Sequence, residues 1–203
     1  MNYNLNYSLY LVTDREVLKG RDLISSVEAA ILGGVTLVQL REKDISSLEF
    51  YNIAVKVKEL TDKYNLPLII NDRVDVALAI DAAGVHLGQS DFSCEVARKI
   101  MGENKLIGIS AGSLEEALIA EEQGADYIGV GAIFPTGTKL DAQAVSINTL
   151  EIIKRGIKIP VVAIGGINEK NYVLLKNTGI DGIAVVSAIL GKDNIREAAK
   201  IFL

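Results

Sequence analysis

Short apolar runs alternate along the chain with longer segments of helical period, and the alternation repeats about eight times, roughly once every 25 residues. Most runs are continuously apolar, which is typical of parallel strands that are covered on both faces. The segments between them place apolar residues on one face and charged residues on the other, as outer helices do. The pattern predicts strands at 8–12, 35–40, 67–70, 84–87, 106–110, 127–133, 160–164 and 182–186.

Eight strand–helix units predict a closed barrel of parallel strands, with an open doubly wound sheet as the alternative. The open fold usually carries a glycine-rich turn after its first strand, whereas the sequence here reads TDRE at positions 13–16. We therefore expect an α/β protein, a single (β/α)8 TIM barrel, with one catalytic domain over residues 1–203.

The composition narrows the range of partners. The 203 residues carry a formal net charge of -5, whereas proteins that bind nucleic acid usually present a clustered basic surface. No apolar stretch reaches the length of a membrane span, and no Lys or Arg of a secretory signal precedes Arg15. Cys94 is the only cysteine and cannot form an internal disulfide. We expect a cytoplasmic protein that binds neither nucleic acid nor membrane; a homo-oligomer is compatible with the sequence.

Polar side chains follow the ends of most predicted strands, where a parallel barrel builds its site. The second strand ends in Gln39, Arg41 and Lys43, and the alternation of a strand aims these three side chains to one side. One amide and two cations could therefore converge on an anion. The alternative is that Arg41 and Lys43 are solvated loop charges.

Two aspartates follow neighbouring strands. Asp72 comes after Asn71 at the end of the third predicted strand, and Asp91 follows the fourth. Paired carboxylates, completed by water and phosphate oxygens, are the usual environment of Mg²⁺. Each aspartate alone could instead cap the helix that follows it. As a pair beside cationic loops, they favour the metal site.

A loop with two threonines and a lysine follows the sixth strand. Thr136, Thr138 and Lys139 offer two hydroxyl donors and an ammonium group, which suit a phosphate or diphosphate. The loop, residues 134–145, is long for a barrel connection, and we expect it to close over bound substrates.

The remaining strand ends predict a second anion site, made largely of backbone. Gly166 follows the seventh strand, and Val186 and Ser187 follow the eighth, where barrels commonly bind phosphate through N–H groups. Ser110 ends the fifth strand.

The chain lacks the usual residues of nucleophilic catalysis. His86 is the only histidine and lies inside a predicted strand, so we interpret it as a packed or hydrogen-bonded core residue. Without it no Ser–His–Asp set can be assembled, and Cys94 has no histidine partner in sequence. The groups that remain are cations, hydroxyls, carboxylates and main-chain dipoles. They suit the departure of a diphosphate, because they stabilise charge that builds on the leaving group.

Several motifs, in order and over nearly the whole chain, resemble those of the thiamine phosphate synthase family: LYLVTDRE, VQLREKD, INDRVDVALAIDAAGVHLGQSD, GADYIGVGAIFPTGTKLDA and PVVAIGGINEKN. The resemblance implies a transferase that joins an aminopyrimidine diphosphate to a thiazole phosphate, with Mg²⁺ as cofactor and release of diphosphate. Its partners would be these small-molecule substrates.

The resemblance also implies a role for each matching residue. The pyrimidine diphosphate would be held by Gln39, Arg41, Lys43, Asn71 and Lys139. Ser110 would lie near the pyrimidine, and Mg²⁺ would be bound by Asp72 and Asp91. The thiazole phosphate side would be formed by Thr136, Thr138, Gly166, Val186 and Ser187. Within this set, the predicted catalytic residues are Arg41, Ser110 and Lys139.

Two positions depart from the family pattern. Gly112 stands where the family often has histidine, and Ala132 replaces a common proline. A thiazole tautomerase of the same superfamily is the nearest alternative function, but such enzymes rely on that absent histidine. A second alternative is a barrel that binds thiamine intermediates without catalysis, although the predicted ligands are all present here.

Overall fold

A computed structural model describes residues 5–137 and 144–203. Eight parallel strands form a closed barrel in sequence order, because the last strand pairs with the first. The strands are β1 (Leu9–Val12), β2 (Leu37–Leu40), β3 (Leu68–Asn71), β4 (Gly84–Leu87), β5 (Leu106–Ala111), β6 (Tyr127–Val130), β7 (Val161–Ile164) and β8 (Gly182–Val185). The predicted (β/α)8 TIM barrel is confirmed, and the open sheet is wrong.

Helices surround the barrel and connect its strands. Within the described residues they are α1 (Arg15–Leu18), α2 (Leu23–Leu32), α3 (Ser47–Lys63), α4 (Val74–Ala79), α5 (Cys94–Met101), α6 (Leu114–Glu122), α7 (Ile147–Gly156), α8 (Ser187–Leu190) and α9 (Ile195–Lys200). The crossover from β7 to β8 carries a 3₁₀ turn, Tyr172–Leu175. None of these helices has the length and apolar character that a membrane span requires.

The sixth strand is shorter than its apolar run predicts. The run extends over residues 127–133, whereas β6 ends at Val130. The next residues stay attached to the end of β7, since the Ile133 and Phe134 amides donate to the Ile164 and Gly165 carbonyls. The sequence stays apolar after the strand has ended because Ala132 and Ile133 are still buried.

Two apolar layers explain why the strands read as continuous runs. Alternate residues such as Tyr10 and Val12 fill the barrel interior, while Leu9 and Leu11 face the helices. Both sets are buried, and a fully buried Leu or Val side chain contributes about 1.5–3 kcal/mol relative to exposure. Gln39 pairs with Val12 in the register and points inward like it, at the carboxyl end of β2.

Candidate active site

The two cations that follow β2 are both paired with carboxylates from neighbouring loops. One guanidinium nitrogen of Arg41 lies 3.1 Å from Asp14 Oδ2, and Lys43 Nζ lies 2.6 Å from Asp72 Oδ2. Asp14 also caps α1, because its other oxygen accepts from the Glu16 and Val17 amides. Both cations are ion-paired, and Lys43 is also half exposed, so its charge remains in contact with solvent.

A second ion pair joins the loops that follow β1 and β2. Arg15 Nε lies 2.8 Å from a carboxylate oxygen of Glu42, whose side chain is almost fully buried. Burial raises the pKa of Glu42, and the Arg15 charge opposes that rise. Together with the Arg41–Asp14 pair, this contact ties the two loops to each other, and the Arg41 amide also donates to Thr13 Oγ1 at 2.9 Å.

Asp72 and Asp91 face each other at the ends of β3 and β4. Burial, followed by the nearby negative charge of Asp72, raises the pKa of the Asp91 carboxyl. Asp91 Oδ2 accepts from the Gly88 amide at 2.7 Å, and the Asp72 amide donates to the His86 carbonyl. Asp72 has φ of 62°, a left-handed conformation that the loop imposes.

Neither aspartate caps a helix. Arg73 occupies the N-cap position of α4, where no side-chain capping bond is made, and Ser93 caps α5. The capping alternative is therefore wrong for both. Among residues 5–137 and 144–203, no cluster of three or more His, Cys, Asp or Glu side chains could hold a metal ion. A cation between Asp72 and Asp91 would therefore need further ligands from water or a phosphorylated substrate.

A continuous chain of polar side chains crosses the barrel interior. Gln39 Nε2 donates to the Tyr10 hydroxyl at 2.8 Å, and the Tyr10 and Tyr127 hydroxyls are 2.9 Å apart. The Tyr127 hydroxyl lies 3.0 Å from His86 Nδ1, and His86 Nε2 lies 3.0 Å from Ser110 Oγ. His86 is thus a hydrogen-bonded residue of the barrel, as its position in a strand predicts.

The sequence reasoning missed both tyrosines of this chain. Each lies in an otherwise apolar strand, LYLV for Tyr10 and YIGV for Tyr127. A buried tyrosine hydroxyl needs a hydrogen-bond partner, so a tyrosine within such a strand is the signal that could have found them.

Glycines leave room for the aromatic rings. A Cβ atom on Gly108 would lie 2.5 Å from His86 Nδ1 and would overlap the Tyr127 ring. A Cβ atom on Gly129 would lie 3.0 Å from the His86 ring. The Tyr127 and His86 rings, whose centroids are 5.5 Å apart, therefore occupy the space that side chains at these two positions would take.

The loops after β6 and β7 lie against each other. Gly166 has φ of 63°, and a Cβ atom there would lie 2.6 Å from the Phe134 carbonyl oxygen and overlap that of Pro135. The Gly166 carbonyl accepts from the side chains of Asn168 and Asn171. Gly166 is thus brought beside the segment that leads to Thr136, which is half-buried.

The other residues predicted to bind the thiazole phosphate differ in their exposure. Val186 directly precedes α8 and packs on the barrel interior, whereas Ser187 begins α8 and is exposed. Thr138 and Lys139 lie outside the described residues, as does half of the predicted lid. Closure of that loop stays a prediction.

Gly112 makes a local contact where the family pattern has histidine. Its amide donates to the Glu116 carboxylate at 2.6 Å, and Ser113 caps α6 by accepting from the Glu116 amide. A Cβ atom on Gly112 would meet nothing closer than 3.6 Å. Position 112 therefore has room for a Cβ atom.

Inward polar side chains, paired cations and a carboxylate pair all meet at the carboxyl edge of the barrel. These features define a TIM-barrel enzyme that handles a phosphorylated small molecule. Residues 9–189 match the family model described as thiamine monophosphate synthase, and the chain belongs to that family.

Proteins similar to this chain carry related names. It is 62% identical to the thiamine-phosphate synthase of Alkaliphilus oremlandii, over 98% of this chain and 95% of the relative. It is 61% identical to that of Clostridium tetani, with the same coverage. The solved structure of thiamine phosphate pyrophosphorylase from Pyrococcus furiosus aligns with a TM-score of 0.89 at 45% identity, covering 96% of this chain and 93% of that one.

Proposed function

We propose that the protein is a transferase that joins an aminopyrimidine diphosphate to a thiazole phosphate, giving thiamine phosphate and diphosphate. The observation that carries the proposal is the meeting of the Asp72–Asp91 carboxylate pair with Lys43 at the carboxyl edge of the barrel. Identities near 60% to thiamine-phosphate synthases over almost the full length support the same activity.

The pyrimidine diphosphate would bind across the ends of β2, β3 and β5. Gln39 points into the barrel below the edge, and Ser110 lies at the end of β5, so both can meet a flat ring that enters from above. Asn71 ends β3, where it pairs with His86 in the strand register. Arg41, Lys43 and Lys139 would hold the charged diphosphate.

The thiazole phosphate would bind on the opposite side of the barrel mouth. Gly166 lies beside the segment that leads to Thr136, and Val186 and Ser187 follow β8. Backbone N–H groups after β7 and β8 suit a phosphate monoester, as in many barrels. We assign Thr136, Thr138, Gly166, Val186 and Ser187 to this substrate.

The chemistry of the Asp72–Asp91 pair fits Mg²⁺. Two carboxylates without capping roles leave the remaining positions to water and diphosphate oxygens, which is how Mg²⁺ is usually held. Bound there, Mg²⁺ would neutralise charge on the leaving diphosphate. Lys43 now neutralises Asp72, and a bound diphosphate would give that ammonium group a second acceptor.

The reaction breaks the bond between the pyrimidine methylene carbon and the diphosphate oxygen, and the electron pair leaves with the oxygen. The lone pair of the thiazole nitrogen then forms the new carbon–nitrogen bond. Arg41 and Lys139 would stabilise the departing charge, and Ser110 would hold the ring in place as the methylene becomes cationic. Removing one such donor slows comparable reactions by about 10²- to 10³-fold.

The test mixes the protein with both phosphorylated precursors, with Mg²⁺ or with a chelator, and measures thiamine phosphate and diphosphate. We expect both products in equal amounts with Mg²⁺ and little with chelator. The absence of product under both conditions would refute the proposed function.

Matched variants test the residue assignments. Asp72→Asn should raise the Mg²⁺ concentration needed for half-maximal rate, whereas Asp193→Asn, at an exposed aspartate between α8 and α9, should not. Lys139→Ala should lower kcat about 10²-fold or more, and Lys99→Ala, on the exposed face of α5, should not. Wild-type kinetics in Asp72→Asn or Lys139→Ala would contradict the assignment of that residue.

We also propose that residues 1–203 act as one catalytic domain in the cytoplasm. The barrel strands extend from Leu9 to Val185, and the relatives align over nearly the whole chain. The single cysteine is buried and free, which suits a reducing compartment.

A further inference from the structure

The polar chain from Gln39 to Ser110 connects two residues that the proposed function assigns to the pyrimidine. Its three middle members, Tyr10, Tyr127 and His86, are given no role by that function. Tyr10 and Tyr127 are 2% and 0% exposed, so neither hydroxyl can turn to solvent. Each hydroxyl hydrogen must therefore be given to a partner inside the barrel.

The order of the hydrogens follows from the Gln39 end. An amide nitrogen can only donate, so Tyr10 accepts from Gln39 Nε2 and gives its own hydrogen to the Tyr127 hydroxyl. Tyr127 then has one hydrogen left to give, and the nearest acceptor is His86 Nδ1 at 3.0 Å.

The same order continues to the rim of the barrel. With Nδ1 accepting, the hydrogen of the neutral ring lies on Nε2 and points at Ser110 Oγ, 3.0 Å away. Ser110 then keeps its own hydroxyl hydrogen for another acceptor. Burial raises the pKa of Tyr10 and of Tyr127 above the ordinary tyrosine range, so both keep their hydrogens at neutral pH.

We infer that Tyr10, Tyr127 and His86 are positioning residues that order the hydrogens of the pyrimidine subsite, so that Gln39 presents its Oε1 as an acceptor and Ser110 presents its hydroxyl as a donor. The inference rests on the proposed function for the identity of the ligand. It assigns a specificity: a ring that offers an amine donor and a ring-nitrogen acceptor fits this pattern. A ring with a carbonyl in place of the amine, and N–H on the adjacent ring nitrogen, presents the reverse pattern.

The protein offers a direct probe of the hydrogen order, because His86 is its only histidine. Protein labelled with ¹⁵N-histidine gives one pair of ring nitrogen signals, and their shifts and proton couplings report which nitrogen carries hydrogen. We expect the Nε2–H tautomer in the wild-type protein at neutral pH, without substrates. Hydrogen on Nδ1, or on both ring nitrogens, would overturn the proposed order.

Substitution of one tyrosine tests the positioning role. Tyr127→Phe removes the donor to His86 Nδ1 and should give a mixture of tautomers. Its kcat/KM ratio for the aminopyrimidine diphosphate over the oxo analogue should fall about tenfold, as expected for one mispaired hydrogen bond. The matched control is Tyr7→Phe. Tyr7 packs against the Tyr127 ring at a centroid distance of 5.1 Å but is not a member of the polar chain from Gln39 to Ser110. Tyr7→Phe should leave both readouts unchanged.

The outcomes separate this inference from the proposed function. If the protein makes no thiamine phosphate, the function fails, while the ring signals of His86 still test the hydrogen order. If activity is present but Tyr127→Phe, folded by circular dichroism, keeps the wild-type tautomer and the wild-type substrate ratio, the positioning role is refuted. Should Tyr127→Phe not fold, Tyr10→Phe provides the same ratio from the Gln39 end, and an unchanged ratio there refutes the role as well.

Discussion

Gly166→Ala probes how the loops after β6 and β7 build the thiazole phosphate side. Gly166 has φ of 63°, and a left-handed backbone costs an alanine about 1–2 kcal/mol. For a chain of this size, that loss lowers the Tm by about 2–8 °C. The added Cβ would also lie 2.6 Å from the Phe134 carbonyl oxygen, about 0.8 Å short of the 3.4 Å at which ordinary contact begins.

The segment before Thr136 must therefore move by nearly 1 Å in Gly166→Ala. A displacement of that size in a site can lower the rate about 10²-fold. The control is Gly20→Ala, since Gly20 has φ of 84° but a Cβ atom there would meet nothing within 4 Å.

The assay measures kcat/KM for the thiazole phosphate at saturating pyrimidine diphosphate, together with the Tm. Both variants should lose stability, and only Gly166→Ala should lose kcat/KM, by about 10²-fold. If Gly166→Ala kept the wild-type kcat/KM and had the same Tm as Gly20→Ala, the contact between the loops would not shape the site.

Three further predictions concern other parts of the barrel. Because burial and the Asp72 charge raise the pKa of Asp91 above its ordinary 3.8, the stability that Asp91 contributes is present at acidic pH and is lost as pH rises through the raised value. In chelator, Asp91→Asn should therefore gain stability relative to wild type as pH rises from 3.8 through the raised pKa. A difference in the free energy of unfolding between the two proteins, measured in urea, that does not change with pH would contradict this. Burial raises the pKa of the Cys94 thiol to about 11, so alkylation at mildly alkaline pH, followed by mass spectrometry, should be far slower in the native protein than in urea, and equal rates would be inconsistent with a buried thiol. Gly108→Ala should lower the free energy of unfolding by about 1–3 kcal/mol, because its Cβ would overlap the Tyr127 ring; urea unfolding that matches wild type would show that the ring can yield.

Much of the architecture could be predicted from the chain alone. Parallel strands covered on both faces need continuous apolar residues, and their crossovers need helices, so the repeat of eight units predicts a barrel. Parallel strands also bring their carboxyl ends to one edge. The sequence therefore places Arg41, Lys43, Asp72 and Asp91 at the same edge without any knowledge of the loops.

The pairings at that edge could not be predicted. Whether Asp72 and Asp91 cap helices depends on loop conformation, and the left-handed backbone of Asp72 with the Ser93 cap of α5 removes both from that role. The bond from Lys43 to Asp72 joins the ends of β2 and β3, so it exists only once those strands are paired.

The sequence by itself determined the order of strands and helices and the edge at which the polar residues gather, because hydrophobic period and chain direction are local properties. Only the tertiary structure decided which face of each strand lies inside the barrel. A strand buried on both faces carries no hydrophobic alternation. The tyrosines of LYLV and YIGV therefore indicate buried hydroxyls that need partners, but not that Tyr10 and Tyr127 point inward. Closure of the barrel brings their hydroxyls together and links Gln39 on β2 to Ser110 on β5.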